Sequence, residues 1–312
     1  MTLYITGEAL IDFVPRTAEN GETAFIPKPG GSPYNVALAA ARAGCETYFL
    51  GNFSHDFFGD HLLNHLQSNN INCSLIERSD FPTTLAFVSY EDGEPRYAFF
   101  NKNSTNKNLN PVLERNTVSP GSFLHVGSIS LIEPPASDRI LNLASKLADK
   151  VVITIDPNVR TNLIDDREKW LREINHLFGL ASIIKLSNKD LEFIAPDLLP
   201  EDFAHELLDQ KDMMIIITAG EMGCSLFTRN NHITQQVPKV KVKDTVGAGD
   251  TLMGTILSWM IKNGIFNRDM IQNLDKHQLG EMLEYCTIAA AINCTRSGCN
   301  PPYHEEIELN LK

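Results

Sequence analysis

The residues best suited to chemistry lie in the stretch DTVGAGDTLMG, residues 244–254. Gly247, Ala248 and Gly249 stand between two aspartates, and an apolar run typical of a helix follows them. A glycine-rich turn at a helix start presents backbone N–H groups, which bind anions. Asp250 would repel a simply bound phosphate, but it can take a proton from a hydroxyl that attacks a phosphoryl group. The stretch therefore favours phosphoryl transfer, with a plain tight turn before a helix as the alternative.

Two common phosphate motifs do not fit the same stretch. After Gly249 the next glycine is Gly254, so the G-x-G-x-x-G spacing of dinucleotide-binding folds fails. Thr255 follows Gly254 where a P-loop requires lysine. A nucleotide-dependent dehydrogenase is therefore disfavoured.

A second glycine-rich stretch, KPGGSPYNVALAAARAG, is suited to a polyhydroxyl ligand. Gly30 and Gly31 permit close approach of a ligand to the backbone, and Asn35 offers both a donor and an acceptor. Ser32 is predicted to be the N-cap of the helix that follows. Asp12, at the end of the first strand, adds a carboxylate. The alternative for each of these residues is a purely structural role in a turn.

The elements that must position these residues alternate along the chain. Apolar runs such as FLHVGSIS, VVITIDP, ASIIKLS and MMIIITAG are mostly separated by helical patterns, which predicts a parallel sheet covered on both faces. INCSLIE is predicted to be a further strand. Two stretches, 13–31 and 83–103, carry hairpin patterns around Asn20-Gly21 and Asp92-Gly93. They predict strands apart from the main sheet that meet as a small lid.

The bulk composition limits the partners of this 312-residue chain. Its net charge of −12 argues against nucleic acid and anionic membranes, although one small phosphate-bearing ligand fits a local positive pocket. The N-terminal stretch lacks a basic region, and no run approaches 18 apolar residues, so we expect a cytoplasmic protein with no membrane partner. The six cysteines form no CxxC pair, which argues against a zinc site.

Together the two glycine-rich stretches resemble the ribokinase-like, or PfkB, carbohydrate kinases. The matching motifs are GGSPYNVA, residues 30–37, and DTVGAGD, residues 244–250, and the resemblance covers essentially the whole chain. It implies an α/β protein with the three-layer α/β/α ribokinase-like fold, a central mostly parallel sheet and a small β-strand lid. The implied division is a core of residues 1–12, 31–82 and 104–312 and a lid of residues 13–30 and 83–103.

The resemblance also implies a role for each matching residue. Asp250 is the general base, and the N–H groups of Gly247, Ala248 and Gly249 hold the charge on the transferred phosphoryl group. The implied sugar-binding residues are Asp12, Gly30, Gly31, Asn35, Arg96, Phe99 and Arg160. The implied nucleotide-binding residues are Lys185, Asp190, Thr218, Gly220, Gly223, Gly249 and Asn293. Asp244 and Asp190 are the implied metal-site residues.

Three of these assignments have open alternatives. Arg160 is a candidate anion ligand, but a surface ion pair with Asp165 or Asp166 would also explain it. Phe99 covers the sugar or simply packs the lid. Asp190 stands where the family has glutamate, so its shorter side chain is expected to reach a metal through water.

Further stretches indicate the branch of the family. GEALIDFVP resembles the opening of bacterial fructokinases, and KLSNKDLEFI resembles a further fructokinase stretch. IDPNVR resembles a stretch shared by fructokinases and 2-keto-3-deoxygluconate kinases. The resemblance implies phosphorylation of D-fructose to fructose 6-phosphate by ATP with Mg²⁺, and K⁺ as a further candidate cation. Asn101 and Asn106 replace an arginine and an acidic residue expected in the lid region, which loosens the sugar assignment. The alternatives are a 2-keto-3-deoxygluconate kinase, an aminoimidazole riboside kinase, a ribokinase, or a catalytically silent binding protein on the same fold. Lids of this family also form dimer contacts, so a homodimer through the lid is one expectation.

Overall fold

The computed structural model describes residues 1–91 and 94–311. For residues 90, 91 and 94–96 it describes the backbone only. The strands are β1 (Leu3–Thr6), β2 (Leu10–Thr17), β3 (Thr23–Gly30), β4 (Thr47–Ser54), β5 (Ile76–Ser79), β6 (Thr84–Glu91), β7 (Glu94–Phe100), β8 (Phe123–Gly127), β9 (Val152–Asp156), β10 (Ile183–Ser187), β11 (Met214–Thr218), β12 (Cys224–Phe227) and β13 (His232–Gln235). The helices are α1 (Ser32–Arg42), α2 (Phe57–Ser68), α3 (Ala136–Leu147), α4 (Arg167–Leu180), α5 (Asn188–Ile194), α6 (Pro200–Gln210), α7 (Ala248–Lys262), α8 (Arg268–Gln272), α9 (Lys276–Cys294) and α10 (His304–Asn310).

The main sheet has nine strands in the order β13-β12-β11-β10-β9-β8-β1-β4-β5. Neighbours from β11 to β5 are parallel, and β12 and β13 add an antiparallel edge. Continuous apolar runs such as those of β8 and β9 are buried along their whole length, as in a sheet covered on both faces. One apolar core includes residues of α1, α7 and α9, and a second includes residues of α3, α4 and α6. The predicted α/β architecture is confirmed.

A smaller sheet of four strands lies apart from the main one, in the order β3-β2-β6-β7. β2 pairs with β6 in parallel, and the other two pairings are antiparallel. The predicted hairpin stretches therefore do form strands of their own, although the smaller sheet already begins at Leu10. The predicted turn at Asp92-Gly93 lies outside the described residues, and the division into core and lid stays a prediction.

Two local predictions were wrong. INCSLIE is not one strand, because Asn72 Oδ1 accepts the N–H of Ser74 in a turn and the strand starts only at Ile76. Ser32 is not the N-cap of α1. Gly31 holds that position with φ of 108°, a conformation that favours glycine, and Ser32 is already helical.

The parallel strands place polar residues along one edge of the main sheet. Asp156, Ser187 and Thr218 are the last residues of β9, β10 and β11. The carboxyl ends of parallel strands share an edge, which is where open α/β sheets bind ligands. In the described part of the chain, no helix is both long enough and apolar enough to cross a membrane.

Candidate active site

Asp250 is held between the first turns of two helices. It lies in the first turn of α7 and is only 7% exposed. Its Oδ1 accepts a hydrogen bond from Ser32 Oγ at 2.6 Å, and its Oδ2 accepts one from Asn35 Nδ2 at 2.8 Å. These two hydrogen bonds fix the orientation of the carboxylate. The arrangement can therefore accept a proton from a hydroxyl placed beside it.

The glycine-rich turn leaves two N–H groups available for an anion. Gly247 caps α7 in the left-handed conformation, with φ of 75°. Ala248 donates its N–H to the carbonyl of Thr245 at 3.2 Å, whereas those of Gly247 and Gly249 meet no acceptor within the described residues. Free N–H groups at a helix start bind anions. Gly247 and Gly249 are thus the better-placed donors of the predicted set. The N–H group of Ala248 would have to break its hydrogen bond to Thr245 before it could bind an anion.

Asp12 and Asn35 present acceptors that nothing in the protein occupies. Across the described residues, no donor reaches the carboxylate of Asp12, and Asn35 Oδ1 is buried without a hydrogen-bond partner. Burial raises the pKa of Asp12 to about 7, with Arg160 opposing the shift and Asp250 adding to it. Unpaired buried acceptors are costly unless a ligand pairs with them. These two residues therefore fit the hydroxyl groups of a sugar.

Gly30 and Gly31 are glycines because other groups pack where a side chain would stand. The carboxylate of Asp12 fills the space beside Gly30. A Cβ on Gly31 would lie 2.5 Å from the backbone oxygen of Glu8. The buried Glu8 carboxylate accepts the N–H groups of Ser32 at 3.1 Å and Ser130 at 3.3 Å. Both glycines thus help to set the start of α1 beneath the sugar-facing acceptors.

The predicted sugar-side residues of the lid have different outcomes. Phe99 is half-buried and stacks on Tyr97, with ring centroids 5.8 Å apart, in a small apolar cluster. The guanidinium of Arg160 lies 5.8 Å from the centroid of the Tyr97 ring and acts electrostatically on Asp12. The side chain of Arg96 lies outside the described residues.

The structure argues against the ion-pair alternative for Arg160 but does not decide between the alternatives for Phe99. Among the described residues, Arg160 forms no ion pair with Asp165 or Asp166; it bonds Asn158 Oδ1 at 2.7 Å instead. Phe99 packs against Tyr97 in the smaller sheet, which is compatible with both interpretations of Phe99. A contact between Phe99 and the sugar therefore stays a prediction.

Lys185 and Asp190 are both buried and have hydrogen-bond partners within the protein, and their contact with a nucleotide stays a prediction. Lys185 is 4% exposed and forms an ion pair with Asp156 at 2.7 Å. Asp190 Oδ1 accepts the N–H of Val159 at 2.7 Å, and its Oδ2 accepts the N–H and hydroxyl of Ser187. Each oxygen of Asp190 thus already accepts a hydrogen bond in a buried position, which disfavours direct metal binding and agrees with the expected contact through water.

The predicted nucleotide turn after β11 is a tight hairpin connection. Gly220 and Gly223 have φ of 58° and 96°, and the N–H of Ala219 bonds the carbonyl of Gly223 at 2.8 Å. A side chain on Gly223 would collide with the carbonyl of Gln235. Thr218, at the end of β11, is half-buried. The turn has open backbone, but its contact with a nucleotide stays a prediction.

Asp244 and Asn293, predicted metal-site and nucleotide-binding residues, join the loop that starts at residue 244 to the loop after α9. Asp244 Oδ2 accepts the N–H of Gly298 at 2.8 Å. Asn293 Nδ2 donates to the carbonyl of Val246 at 2.8 Å, and its Oδ1 accepts the N–H of Asn300 at 2.8 Å. The loops after residues 244 and 295 are thus held together by Asp244 and Asn293. Within the described residues, no group of three or more His, Cys, Asp or Glu side chains could hold a metal ion.

A narrow cavity separates the smaller sheet from these loops. Its volume is about 30 Å³, and its lining includes Asp12, Asn35, Lys28, Asp244 and Cys299. A cavity of this size holds one or two water molecules. In this arrangement the enclosed space is therefore smaller than a sugar molecule.

Several residues of this site were missed in the sequence. Ser32 bonds the candidate base, and the Cys299 thiol packs against Gly247. Arg16, on β2, donates to Ser297 Oγ at 3.1 Å and so joins the smaller sheet to the loop after α9. Ser32 lies inside the first motif and could have been suspected; the other two contacts join parts of the chain that no motif links.

An anion-binding helix start with a carboxylate beside it, next to unpaired acceptors for hydroxyl groups, is the arrangement of an enzyme that transfers a phosphoryl group to an alcohol. Family comparison identifies the class directly. The model of the pfkB family of carbohydrate kinases matches residues 2–306. The chain belongs to that family and is a sugar kinase.

Individual relatives agree with this assignment. The chain is 31% identical over 273 residues to a fructokinase of Rhizobium leguminosarum bv. trifolii, an alignment that covers 88% of this chain and 84% of the relative. The crystal structure of a fructokinase with bound ATP from Xylella fastidiosa superposes with a TM-score of 0.87 at 23% identity, covering 99% of this chain and 97% of that one. A fructokinase from Vibrio cholerae O395, in its fructose, ADP and calcium ion bound form, has a TM-score of 0.85 at 22% identity, covering 100% and 99%. The ribokinase-like fold predicted from the motifs is thereby confirmed.

Proposed function

We propose that the protein phosphorylates D-fructose at its primary hydroxyl with ATP, yielding fructose 6-phosphate. The observation that carries the proposal is the placement of Asp250, beside the free N–H groups of Gly247 and Gly249. Fructokinase relatives and the fructose- and ADP-bound structure of the Vibrio cholerae protein support the choice of sugar and nucleotide.

In the proposed reaction Asp12 and Asn35 orient the sugar through its hydroxyl groups. Asp250 takes the proton of the primary hydroxyl as the oxygen attacks the γ-phosphorus and the bond from that phosphorus to the bridging oxygen of ADP breaks. The N–H groups of Gly247 and Gly249 and the positive end of α7 stabilise the charge on the transferred group. Closure of the smaller sheet over the sugar excludes water, which limits ATP hydrolysis.

The described residues fit a metal that arrives with the nucleotide rather than one held by the protein alone. Mg²⁺ is commonly bound by one or two carboxylates together with substrate phosphates and water. Asp190 would contribute through water, since its short side chain is buried and each of its oxygens already accepts a hydrogen bond. When bound, Mg²⁺ neutralises charge on the phosphates. A monovalent cation such as K⁺ would lie near Asp244, between the two joined loops.

A sugar panel tests the proposed substrate. Purified protein is assayed with Mg²⁺, ATP and each of fructose, 2-keto-3-deoxygluconate, aminoimidazole riboside and ribose. We expect the highest kcat/KM for fructose. Robust turnover of another member of the panel, with none on fructose, would refute the fructose assignment and leave the kinase class intact.

We also propose a homodimer formed through the outer face of the smaller sheet. Phe87 stacks on Phe13 with ring centroids 4.6 Å apart, and Phe25 and Phe100 pack on its other sides. Phe25 is 41% exposed and Phe100 62% exposed. Exposed aromatic clusters of this kind mark interaction sites, and an identical face on a second copy would bury both.

Sedimentation velocity should therefore show a dimer. The double variant Phe25→Glu/Phe100→Glu should sediment as a monomer, because charges would then face each other across the apolar contact. Leu309→Glu is the matched control, since Leu309 is 71% exposed but lies on α10. A wild-type monomer at all concentrations would exclude this interface.

A further inference from the structure

A buried, fixed positive charge lies at the carboxyl edge of the main sheet. Lys185 is on β10, and its Nζ donates to Asp156 Oδ2 at 2.7 Å. Asp156, the last residue of β9, is 0% exposed, and its Oδ1 accepts the N–H of Asn158 at 3.2 Å. The ammonium of Lys185 is therefore held by the carboxylate of Asp156, which is itself fixed by the N–H group of Asn158.

This ammonium lies directly beneath the glycine-rich turn. A Cβ on Gly249 would stand 2.7 Å from Nζ of Lys185, so the ammonium lies against the backbone of the turn. Lys185 is only 4% exposed, so its ammonium contacts the turn more than solvent. The contact also explains why residue 249 is glycine, since a side chain there would push the ammonium away.

The surrounding charges show what the ammonium does. Burial alone would lower the pKa of Lys185, but the carboxylates of Asp156, Asp190 and Asp250 outweigh it and raise the pKa. Lys185 consequently stays protonated. Without it, three carboxylates would lie near the place where an anionic phosphoryl group must bind. In a water-excluded site such repulsion is large.

We propose that Lys185, held by Asp156, is a positioning residue that supports the Gly249 backbone and keeps the potential at the anion-binding turn positive during phosphoryl transfer. The inference rests on the proposed kinase function, and it assigns Lys185 an action through the turn rather than a contact with nucleotide. Its partner Asp156 fixes the ammonium and does not itself meet the substrate.

The test compares two variants, and neither of them leaves a buried charge without a hydrogen-bond partner. Asp156→Asn retains the ammonium and leaves it an amide oxygen as acceptor. The double variant Asp156→Asn/Lys185→Gln removes both charges together, which buried pairs often tolerate without loss of stability. Thermal unfolding establishes that both variants fold. All assays use the sugar of the panel that the wild type phosphorylates fastest, so a wrong choice of sugar does not affect the comparison.

We expect kcat of the double variant to fall at least about tenfold below that of Asp156→Asn, because a fixed charge that stabilises the transition state is lost. KM for the sugar should change little, since Asp12 and Asn35 are untouched. Affinity for MgADP with aluminium fluoride, a mimic of the transferring phosphoryl group, should fall more than affinity for MgADP alone. Equal kcat in two folded variants would overturn the proposal and leave the ion pair a purely structural role.

Gly249→Ala provides a second, independent variant. It keeps the N–H group and both charges, but its methyl group forces the ammonium away from the turn. We expect a similar loss of kcat with little change in KM for the sugar; an unchanged kcat would contradict the proposal. Failure of the kinase function itself is distinguishable, because the wild type would then form no ADP with any sugar.

Discussion

Replacing Asp250 by asparagine should lower kcat at least about a hundredfold, the usual contribution of a positioned general base. Asparagine has nearly the same shape, and its amide oxygen can still accept the hydroxyl of Ser32. Its NH₂ group would face the NH₂ of Asn35, so the amide of Asn35 must turn over to pair with it. With both contacts kept in this way, the start of α7 should keep its structure. What it cannot do is take the proton of the attacking hydroxyl. KM for ATP should stay close to the wild-type value. Steady-state kinetics with fructose and ATP measure both constants.

Asp269→Asn is the matched control for this variant. Asp269 also lies in the first turn of a helix, α8, but it is exposed to solvent. Its replacement should leave kcat unchanged, which separates the loss of a base from the loss of a favourable charge at a helix start. A near-normal rate in Asp250→Asn would refute the role of Asp250 as base.

Asp12→Asn should reduce kcat/KM for the sugar by about a hundredfold, mainly through KM. The unpaired carboxylate of Asp12 is suited to accept two sugar hydroxyls, and each hydrogen bond to a charged group contributes about 1.5–3 kcal/mol. An amide can accept only at its oxygen, and its NH₂ group would face a hydroxyl hydrogen. Steady-state kinetics with varied sugar at saturating ATP test this expectation.

Asp12 should also make kcat/KM for the sugar depend on pH. Because burial raises the pKa of Asp12 to about 7, its carboxyl group is mostly protonated below this pH and ionised above it. The ionised form accepts hydroxyl hydrogens better, so kcat/KM for the sugar should rise through about pH 7 and then level off. The rise at this pH should be lost in Asp12→Asn and kept in Asp80→Asn, an exposed aspartate. A pH profile of Asp12→Asn that matches the wild type would exclude Asp12 as its source.

The fold was predictable because its local patterns agree with one another. The buried strands β8 to β11 read as continuous apolar runs, and the two hairpin stretches differ from them by their alternation. The prediction of one strand over residues 71–77 was wrong because an Asn-Ser turn lies among the apolar residues. A sequence pattern alone cannot distinguish such a turn from a strand, since hydrogen bonding within a turn depends on the local backbone.

The candidate site was predictable only where a motif contains the residue. Asp250, Gly247 and Gly249 lie together in one glycine-rich stretch, and the structure places the carboxylate beside the free N–H groups as the motif predicts. Lys185 was expected to bind the nucleotide; in the structure its ammonium pairs with Asp156 and lies against Gly249, and a contact with the nucleotide stays a prediction. The contact between Lys185 on β10 and Gly249 at the start of α7 is a tertiary one, which has no counterpart in a linear pattern.

The most direct measurement is the sugar-dependent formation of ADP by the wild-type protein with MgATP and fructose, with the product identified by ³¹P NMR. The proposed function predicts that fructose accelerates ADP formation strongly and that the phosphate is found on O6 of the sugar. ADP formation that is no faster with fructose than without sugar, or a phosphate on another oxygen, would contradict it.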